Sequence, residues 1–174
     1  MKIEEGQASP LQKAEDVYGK EVSLQGSKVV LSFQRNAGCP ICNVQVHELL
    51  KYAETFHQQG ILIVLVYQSS VDNLREYISQ EPMPFHFISD PANKLYKPFG
   101  IEKSFRKFLK GLFSGALSKV VKGNSLFKKK IKVDGDVSLI GSDFIIRDGI
   151  ITKARYGKFV GDHLTPQEIF AHLN

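Results

Sequence analysis

The sequence predicts an α/β protein with a central mixed β-sheet flanked by helices, and three observations support this. Apolar runs of strand length alternate with segments of helical periodicity, in the order β-α-β-α-β-α. A hairpin signal and one further helix follow near the C-terminus. The chain has 174 residues, of which 43% are hydrophobic and 24% charged, which is the ordinary composition of one globular domain.

Strands are predicted where β-branched and other apolar residues run together. The first four such segments are residues 22–24, 29–33, 61–66 and 85–88. Helices are predicted between the last three, so these strands should be parallel. Residues 142–146 and 150–155 are joined by Asp148-Gly149, a sequence typical of tight hairpin turns. This closing antiparallel hairpin makes the predicted sheet mixed.

Helices are predicted from capping residues and from a 3.6-residue apolar period. Pro40 suits the first position of a helix, because the N–H that proline lacks would have no partner within the helix there. Gly60 suits the position after the last turn of this helix. The apolar face of this helix includes Val44, Leu49, Ala53 and Phe56. Three more helix starts are predicted at Ser70, at Ser89-Asp90-Pro91 with an end at Gly100, and at Thr165-Pro166-Gln167-Glu168.

The positive charge of the chain is confined to one segment. The formal net charge is +5, yet residues 103–133 contain nine Lys, one Arg and no acidic residue. The rest of the chain has 13 basic and 18 acidic residues, a net charge of −5. Attraction to nucleic acid or to an anionic membrane would therefore have to come from this segment.

The basic segment also has the pattern of an amphipathic helix of about 17–20 residues. Nine apolar residues form its stripe: Phe105, Phe108, Leu109, Leu112, Phe113, Ala116, Leu117, Val120 and Val121. Gly111 and Gly115 within it each cost about 1 kcal/mol relative to Ala. We interpret the segment as a helical insertion, at about 102–135, in a single domain spanning 1–174.

A stripe of this size should be covered. The favoured cover is the protein's own domain. An anionic membrane surface, bound through the segment from Lys103 to Lys132, is a second hypothesis. A lid or homodimer contact near the thiols is a third. Nucleic acid is not expected, because the aromatic residues lie on the apolar stripe and do not alternate with the lysines.

The two cysteines, Cys39 and Cys42, stand in a Cys-Pro-x-Cys motif between a strand and a helix. Cys39 should occupy the N-cap, where unpaired N–H groups and the helix dipole favour an anion and lower a thiol pKa. Cys42 lies one turn later and can close on it, so the motif predicts thiol redox chemistry. His47 is the nearest imidazole, and no second CxxC or HxxxH exists, so a metal site is not expected. The sequence implies no organic cofactor either.

Other polar residues have simpler interpretations. His47 lies nearly one and a half turns past Cys42 and should face away from the thiols. Asp90 is expected to cap a helix. Asp162 and His163 are expected to belong to a turn before the last helix.

Three segments are together similar to one protein family. Residues 29–42, VVLSFQRNAGCPIC, resemble the VLVFYRGxWCPYC segment of the peroxiredoxin-like branch of the alkyl hydroperoxide reductase/thiol-specific antioxidant (AhpC/TSA) family. Residues 85–100 are similar to that family's FPLLSDPxxxLYxAFG segment, and residues 156–163 to a tail segment of the same branch. The similarity spans about residues 6–100 and 137–174.

This resemblance implies a thioredoxin-like fold and thiol-dependent reduction of peroxides. It makes Cys39 the nucleophile and Cys42 the resolving thiol. Ordinary peroxiredoxins also carry a Thr or Ser in the loop before the nucleophile and an Arg before a later strand, and this sequence has neither. Arg35 and Asn36 are the polar loop residues left to stabilise the leaving oxygen, and backbone N–H groups at the start of the helix could serve as well. The spacing leaves open whether Arg35 points toward the thiol.

The sequence thus predicts a peroxiredoxin-like thiol oxidoreductase that reduces small peroxides and is restored by a thioredoxin-type dithiol. Two alternatives stay open: a thiol–disulfide oxidoreductase acting on protein disulfides, and a non-enzymatic redox-sensing or membrane-docking module. Residues 1–5 are acidic and no apolar core follows them, so no secretory signal is expected and the expected location is cytoplasmic.

Overall fold

The computed structural model of the protein describes residues 2–26, 28–113 and 117–173. Within these ranges the strands are β1 (Lys13–Glu15), β2 (Glu21–Ser23), β3 (Lys28–Phe33), β4 (Ile61–Tyr67), β5 (His86–Ser89), β6 (Ser142–Arg147) and β7 (Ile150–Tyr156). The helices are α1 (Pro40–Leu50), α2 (Ala53–Gln58), α3 (Val71–Ile78), α4 (Phe105–Gly111), α5 (Leu117–Leu126) and α6 (Pro166–Leu173).

A five-stranded mixed sheet in the order β5-β4-β3-β6-β7 lies at the centre of the described chain. Strands β3, β4 and β5 are parallel, and β6 and β7 are antiparallel additions beside β3. Asp148 and Gly149 both have left-handed φ angles, of 51° and 79°, as a two-residue hairpin turn of type I′ requires. The predicted α/β class with a mixed sheet is confirmed.

The side chains of β3 alternate between two cores. Val30 packs on the face that α1, α3 and α6 cover. Leu31 and Phe33 pack on the opposite face, together with residues of the N-terminal segment and of the loop at 95–99. Because β3 runs through a short loop into α1, the Cys-Pro-x-Cys motif lies at the carboxyl end of the central strand.

The predicted helix from Pro40 to Gly60 is two helices in the structure. Helix α1 ends at Leu50, and α2 begins at Ala53. Tyr52 and Phe56 both pack on Phe170 of α6, with ring centroids 5.9 and 4.9 Å apart. The break between α1 and α2 thus coincides with contacts to α6, which the periodicity of the sequence cannot predict.

The helix predicted after Asp90 is wrong, because residues 91–100 form turns. The Asp90 carboxylate accepts hydrogen bonds from the backbone N–H groups of Lys94 and Leu95, at 2.9 and 2.7 Å, so it caps a turn. Asn93 adopts a left-handed φ of 56°, which interrupts helical geometry.

The sequence did not predict strand β1, because residues 1–20 look turn-rich.

The described parts of the predicted insertion helix lie mainly in α4 and α5, on either side of residues 114–116. Gly115 and Ala116 of the predicted helix lie outside the described residues, as does Ser27 of the predicted turn before β3. Gly111 allows a close approach, since a Cβ there would lie 2.3 Å from a Val160 methyl carbon. Among the described residues no helix is long and apolar enough to cross a membrane.

Candidate active site

Cys39 occupies the N-cap of α1, as the sequence predicts. Its backbone is extended (φ −79°, ψ 112°), and Pro40 follows at the first helical position. The Cys39 sulfur accepts a hydrogen bond from the backbone N–H of Cys42 at 3.2 Å. The thiol thus meets one of the unpaired donors of the first helical turn.

Both cysteines are free thiols, and they contact each other directly. The Cys42 thiol donates a hydrogen bond to the Cys39 sulfur, with 2.7 Å between the two sulfur atoms. A disulfide needs about 2.05 Å, so the bond can form with only a small movement. The pair can therefore be interconverted between dithiol and disulfide without refolding α1.

Arg35 points at the thiol, which the sequence left open. Its Nη2 group donates to the Cys39 sulfur at 2.8 Å, and its Nη1 group donates to the carbonyl of Val137 at 2.8 Å. The guanidinium carbon lies 5.7 Å from the centre of the Phe108 ring. The loop after β3, which carries Arg35, helix α4 and the loop before β6 thereby fix a permanent cation beside the sulfur.

These contacts separate the pKa values of the two thiols. Burial alone raises the pKa of Cys39, but the hydrogen bond from Cys42 and the positive charge of Arg35 outweigh it and lower that pKa to about 6. Burial raises the pKa of Cys42 well above its ordinary range, and the hydrogen bond and negative charge of Cys39 act in the same direction. The arrangement makes Cys39 the thiolate and Cys42 the proton-carrying partner at neutral pH.

The insertion covers this pair of thiols. Cys39 and Cys42 are each only 3% exposed. The amide of Asn43 on α1 donates to the carbonyl of Gly123 on α5 at 3.0 Å, and a Cβ on Gly123 would lie 1.9 Å from the Pro40 carbonyl oxygen. The predicted insertion therefore lies directly against the start of α1.

Three consecutive side chains before the thiol carry buried polar atoms without partners among the described residues. These atoms are Gln34 Oε1, Arg35 Nε and Asn36 Oδ1. Buried polar groups are nearly always hydrogen-bonded, so these three unpaired atoms are unusual and remain able to form hydrogen bonds. The Arg35 Nε–H can donate one further hydrogen bond, and the Gln34 and Asn36 side-chain oxygens can each accept one.

A buried polar network that the sequence interpretation missed lies on the same face of the sheet as α1. The Asp143 carboxylate accepts from Ser32 and from the backbone N–H of Leu164, and contacts His163 Nδ1 at 2.9 Å. The side chains of Asp143 and His163 are only 1% and 5% exposed. In the sequence, the sign of this network is a single Asp within the largely apolar run that forms β6.

The remaining candidates lie apart from the thiols or in turns. His47 Nε2 lies 2.5 Å from a Glu81 carboxylate oxygen, and its Nδ1 contacts the backbone carbonyl of Asn43. Asp162 contacts Arg155 and accepts from the N–H of Lys158, which is a turn role. Among the described residues no group of three His, Cys, Asp or Glu side chains could hold a metal ion.

Comparison with known proteins places this arrangement in a family. The AhpC/TSA family model matches residues 6–123. A curated relative, a chloroplastic peroxiredoxin Q from Populus jackii, is 27% identical over 150 residues, covering 81% of this chain and 70% of that protein. These matches span both the thiol motif and the first part of the insertion.

Solved structures share the fold. Reduced Prx3 from Vibrio vulnificus, in complex with H2O2, superposes with a TM-score of 0.69 at 16% identity and covers 99% of both chains. The thioredoxin domain of a thiol-disulfide oxidoreductase from Bacteroides vulgatus gives a TM-score of 0.55 at 14% identity, covering 97% of this chain and 94% of that one. The fold is therefore thioredoxin-like, as predicted.

Proposed function

The chain belongs to the AhpC/TSA family, and we propose that it is a thiol peroxidase that reduces small peroxides with Cys39 as its nucleophile. The observation that carries the proposal is the cluster at the start of α1. There Arg35 and the Cys42 thiol both donate hydrogen bonds to the Cys39 sulfur. A thiolate stabilised at neutral pH is the reactive form for attack on an O–O bond.

In the first step the Cys39 thiolate attacks the terminal oxygen of a hydroperoxide. The S–O bond forms as the O–O bond breaks, giving a sulfenic acid on Cys39 and an alkoxide that becomes an alcohol on taking up a proton. Negative charge develops on the leaving oxygen, and the guanidinium of Arg35 is the nearest permanent cation to the sulfur. The unpaired Nε–H of Arg35 is a further donor that we propose for the leaving oxygen, while the unpaired side-chain oxygens of Gln34 and Asn36 can accept a hydrogen bond from the peroxide hydroxyl.

In the second step Cys42 acts as the resolving thiol. Its sulfur attacks the Cys39 sulfur, the sulfenic hydroxyl leaves as water, and an intramolecular disulfide forms. The 2.7 Å sulfur–sulfur distance supports this step without unfolding of α1. A dithiol partner of the thioredoxin type then exchanges with the disulfide and returns both thiols. We predict that this cycle takes place in the cytoplasm.

A second candidate is thiol–disulfide exchange with protein disulfides. The supporting observation is the Cys-Pro-x-Cys motif itself, with its low-pKa first thiol at a helix N-terminus, on a fold shared with a thiol-disulfide oxidoreductase. A protein disulfide is bulky, however, and both cysteines lie beneath the insertion. A small peroxide needs less room to reach Cys39, which favours the peroxidase.

Two assays on the full chain separate the candidates. Consumption of hydrogen peroxide and of tert-butyl hydroperoxide is followed with a dithiol reductant, and reduction of insulin disulfides is followed in parallel. We expect peroxide consumption that Cys39→Ser abolishes. Cys42→Ser should still react once, leaving a sulfenic acid that a trapping reagent labels.

Insulin reduction without peroxide consumption would replace the peroxidase with the second candidate. Activity in neither assay, with a Cys39–Cys42 disulfide still formed by mild oxidation, would point to a redox sensor. Peroxide consumption that survives Cys39→Ser would remove Cys39 as the nucleophile.

A further inference from the structure

The fold leaves a large part of the insertion's apolar stripe in water. Three described members, Phe108, Leu112 and Val120, pack against the core. Five others are exposed: Phe105 by 63%, Leu109 by 40%, Phe113 by 90%, Leu117 by 64% and Val121 by 72%. The protein's own domain therefore covers only one side of the stripe, and the prediction of intramolecular cover holds for that side alone.

Basic side chains accompany the exposed apolar row. Four of them have carboxylate partners: Lys103 with Asp136, Lys107 with Glu102, Lys122 with Glu48 and Lys129 with Glu76. Five others have no carboxylate partner among the described residues: Arg106, Lys119, Lys128, Lys130 and Lys132. An excess of positive charge therefore remains on the same segment that exposes the apolar side chains.

We propose that the exposed row, formed by the five exposed apolar side chains of α4, position 113 and α5, docks on an anionic lipid surface. Large apolar side chains such as Phe113 would enter the boundary between headgroups and acyl chains, while the basic side chains contact the phosphates. An acid-free segment matches a negatively charged surface. The complementarity of charge is the argument for this occupant.

A second copy of the chain is a poorer cover. A two-fold contact through this row would bring two acid-free basic segments together, and their charges repel. An anionic bilayer instead neutralises the charge and takes up the apolar row. Of the two partners, only the membrane both neutralises the positive charge and buries the apolar row.

Docking would place the thiol site close to the lipid. The inner side of the insertion contacts the site, through Phe108 against Arg35 and Gly123 against Pro40. The outer side carries the exposed row. The proposal concerns this surface alone and does not depend on peroxidase activity.

Vesicle flotation of the full, reduced chain tests the proposal. One set of vesicles contains phosphatidylcholine only, and another contains phosphatidylglycerol as well, each at low and at physiological salt. The apolar variant is Phe113→Ser with Val121→Ser. Its control, Tyr18→Ser with Val71→Ser, removes exposed apolar side chains (63% and 38% exposed) from outside the insertion.

The charge variant replaces bases of the segment that lack a carboxylate partner, and its control replaces three exposed lysines elsewhere. The variant is Arg106→Gln, Lys128→Gln and Lys130→Gln. The control is Lys20→Gln, Lys94→Gln and Lys97→Gln. Melting of all four proteins is measured first, and we expect it to match the unaltered chain because the side chains are exposed.

We expect flotation with phosphatidylglycerol vesicles and none with phosphatidylcholine alone. The apolar variant should bind at least tenfold more weakly. The charge variant should bind roughly a hundredfold more weakly at low salt, since each base near an anionic surface contributes about a factor of five. Both controls should bind like the unaltered chain.

Absence of flotation with phosphatidylglycerol vesicles at low salt would overturn the proposal. Equal losses in the variants and their controls would also overturn it, because binding would then not use this surface. Sedimentation velocity without lipid completes the test: a dimer that the apolar variant converts to monomer would assign the row to a second copy.

Discussion

At the residue scale, Arg35 connects the reactive sulfur to the rest of the protein. One of its terminal nitrogens donates to Cys39, the other donates to a backbone carbonyl, and its plane lies near the Phe108 ring. A guanidinium with two such donors is held in one orientation, which a lysine could not match. The cation is therefore positioned before any substrate arrives.

Replacing Arg35 with Met should raise the pKa of Cys39 from about 6 toward its ordinary value. The positive charge that favours the thiolate is lost, while the volume of the side chain is roughly kept. At pH 7 we expect the alkylation rate of Cys39 to fall about tenfold or more. The measurement is the rate of iodoacetamide labelling against pH, with the labelled cysteine identified by mass spectrometry.

Arg75→Met is a matched control for this variant. Arg75 also donates to a backbone carbonyl, that of Val17, and lies 5.8 Å from the centre of the Tyr18 ring. Its loss should leave the labelling profile of Cys39 unchanged. An unchanged profile in Arg35→Met would show that Arg35 does not set the thiol pKa.

The stability of the reduced protein should depend on pH through Cys39. The pKa of Cys39 in the folded chain, about 6, lies below the ordinary value of about 8.5. Between these values the unfolded chain binds more protons, so the free energy of unfolding should rise by about 1 kcal/mol per pH unit. This contribution is complete above about pH 8.5 and is lost as the pH falls through about 6.

Urea denaturation of the reduced chain between pH 5.5 and about 8 measures this slope. Cys39→Ser, which lacks the thiolate, is the reference and should show a smaller slope. Higher pH is avoided, because Cys42, with its raised pKa, lowers stability there. Identical slopes for the two proteins would contradict the low pKa of Cys39.

The location of Cys39 could be predicted because local signals determine it: a buried strand, a short loop and Pro40 at the first helical position. The direction of Arg35 could not, since it depends on Val137 and Phe108, which lie far along the chain. The partner of His163 is Asp143 and not its neighbour Asp162, for the same reason. Side-chain contacts between distant segments leave little trace in local spacing.

At the element scale, α5 lies against the start of α1, next to the two buried thiols, and we expect this contact to limit access to them. Glycine permits this contact, since a Cβ on Gly123 would lie 1.9 Å from the Pro40 carbonyl oxygen. The glycines of the insertion weaken its helices in isolation. The close helix approach explains the presence of Gly123.

The variant Gly123→Ala should move α5 away from α1. We expect overpacking to lower the free energy of unfolding by about 1–3 kcal/mol. Alkylation of Cys39 should become faster at the same time, because its cover is displaced. Asn124→Ala, at the next and exposed position of α5, is the control and should change neither quantity.

Stability and labelling rate together identify the cause. A Gly123→Ala protein that is less stable but labels no faster would mean that α5 does not limit access to Cys39. A protein unchanged in both respects would contradict the close contact itself.

The sequence predicted the five strands of the central sheet because each contains a run of apolar or β-branched residues, whereas the short β1 has no such run. Periodicity failed where tertiary contacts or single backbone angles interrupt a helix, as at Tyr52 and Asn93. It also gave the insertion one uniform stripe, and could not say which side of that stripe the domain would cover. The close approaches of Gly111 to Val160 and of Gly123 to Pro40 join the segment to parts of the chain that are distant in sequence.

At the scale of the whole molecule, the thiol pair links folding to redox state. The chain has two cysteines, and both are free and buried in the described structure. The contacts of Cys39 favour its thiolate, which exists only in the reduced form. A reduced form stabilised in this way makes the disulfide a stronger oxidant.

The size of this effect follows from the pKa. Lowering the pKa of Cys39 from about 8.5 to about 6 stabilises the reduced form at pH 7 by on the order of 1 kcal/mol, or a few tens of mV for two electrons. We therefore expect Arg35→Met to make the reduction potential more negative, by on the order of tens of mV. Glutathione redox buffers, followed by acid quenching and alkylation, give the potential by intact mass.

The Arg75→Met control should keep the potential of the unaltered chain. The effect of Arg35→Met should also shrink below about pH 6, where Cys39 is protonated in both proteins. An equal potential in Arg35→Met and the unaltered chain at pH 7 would contradict the link between the cation and the disulfide. Only an effect that acts through the charge of the thiolate changes with pH. A shift of the potential that is the same at every pH would therefore assign the effect of Arg35→Met to packing against Phe108.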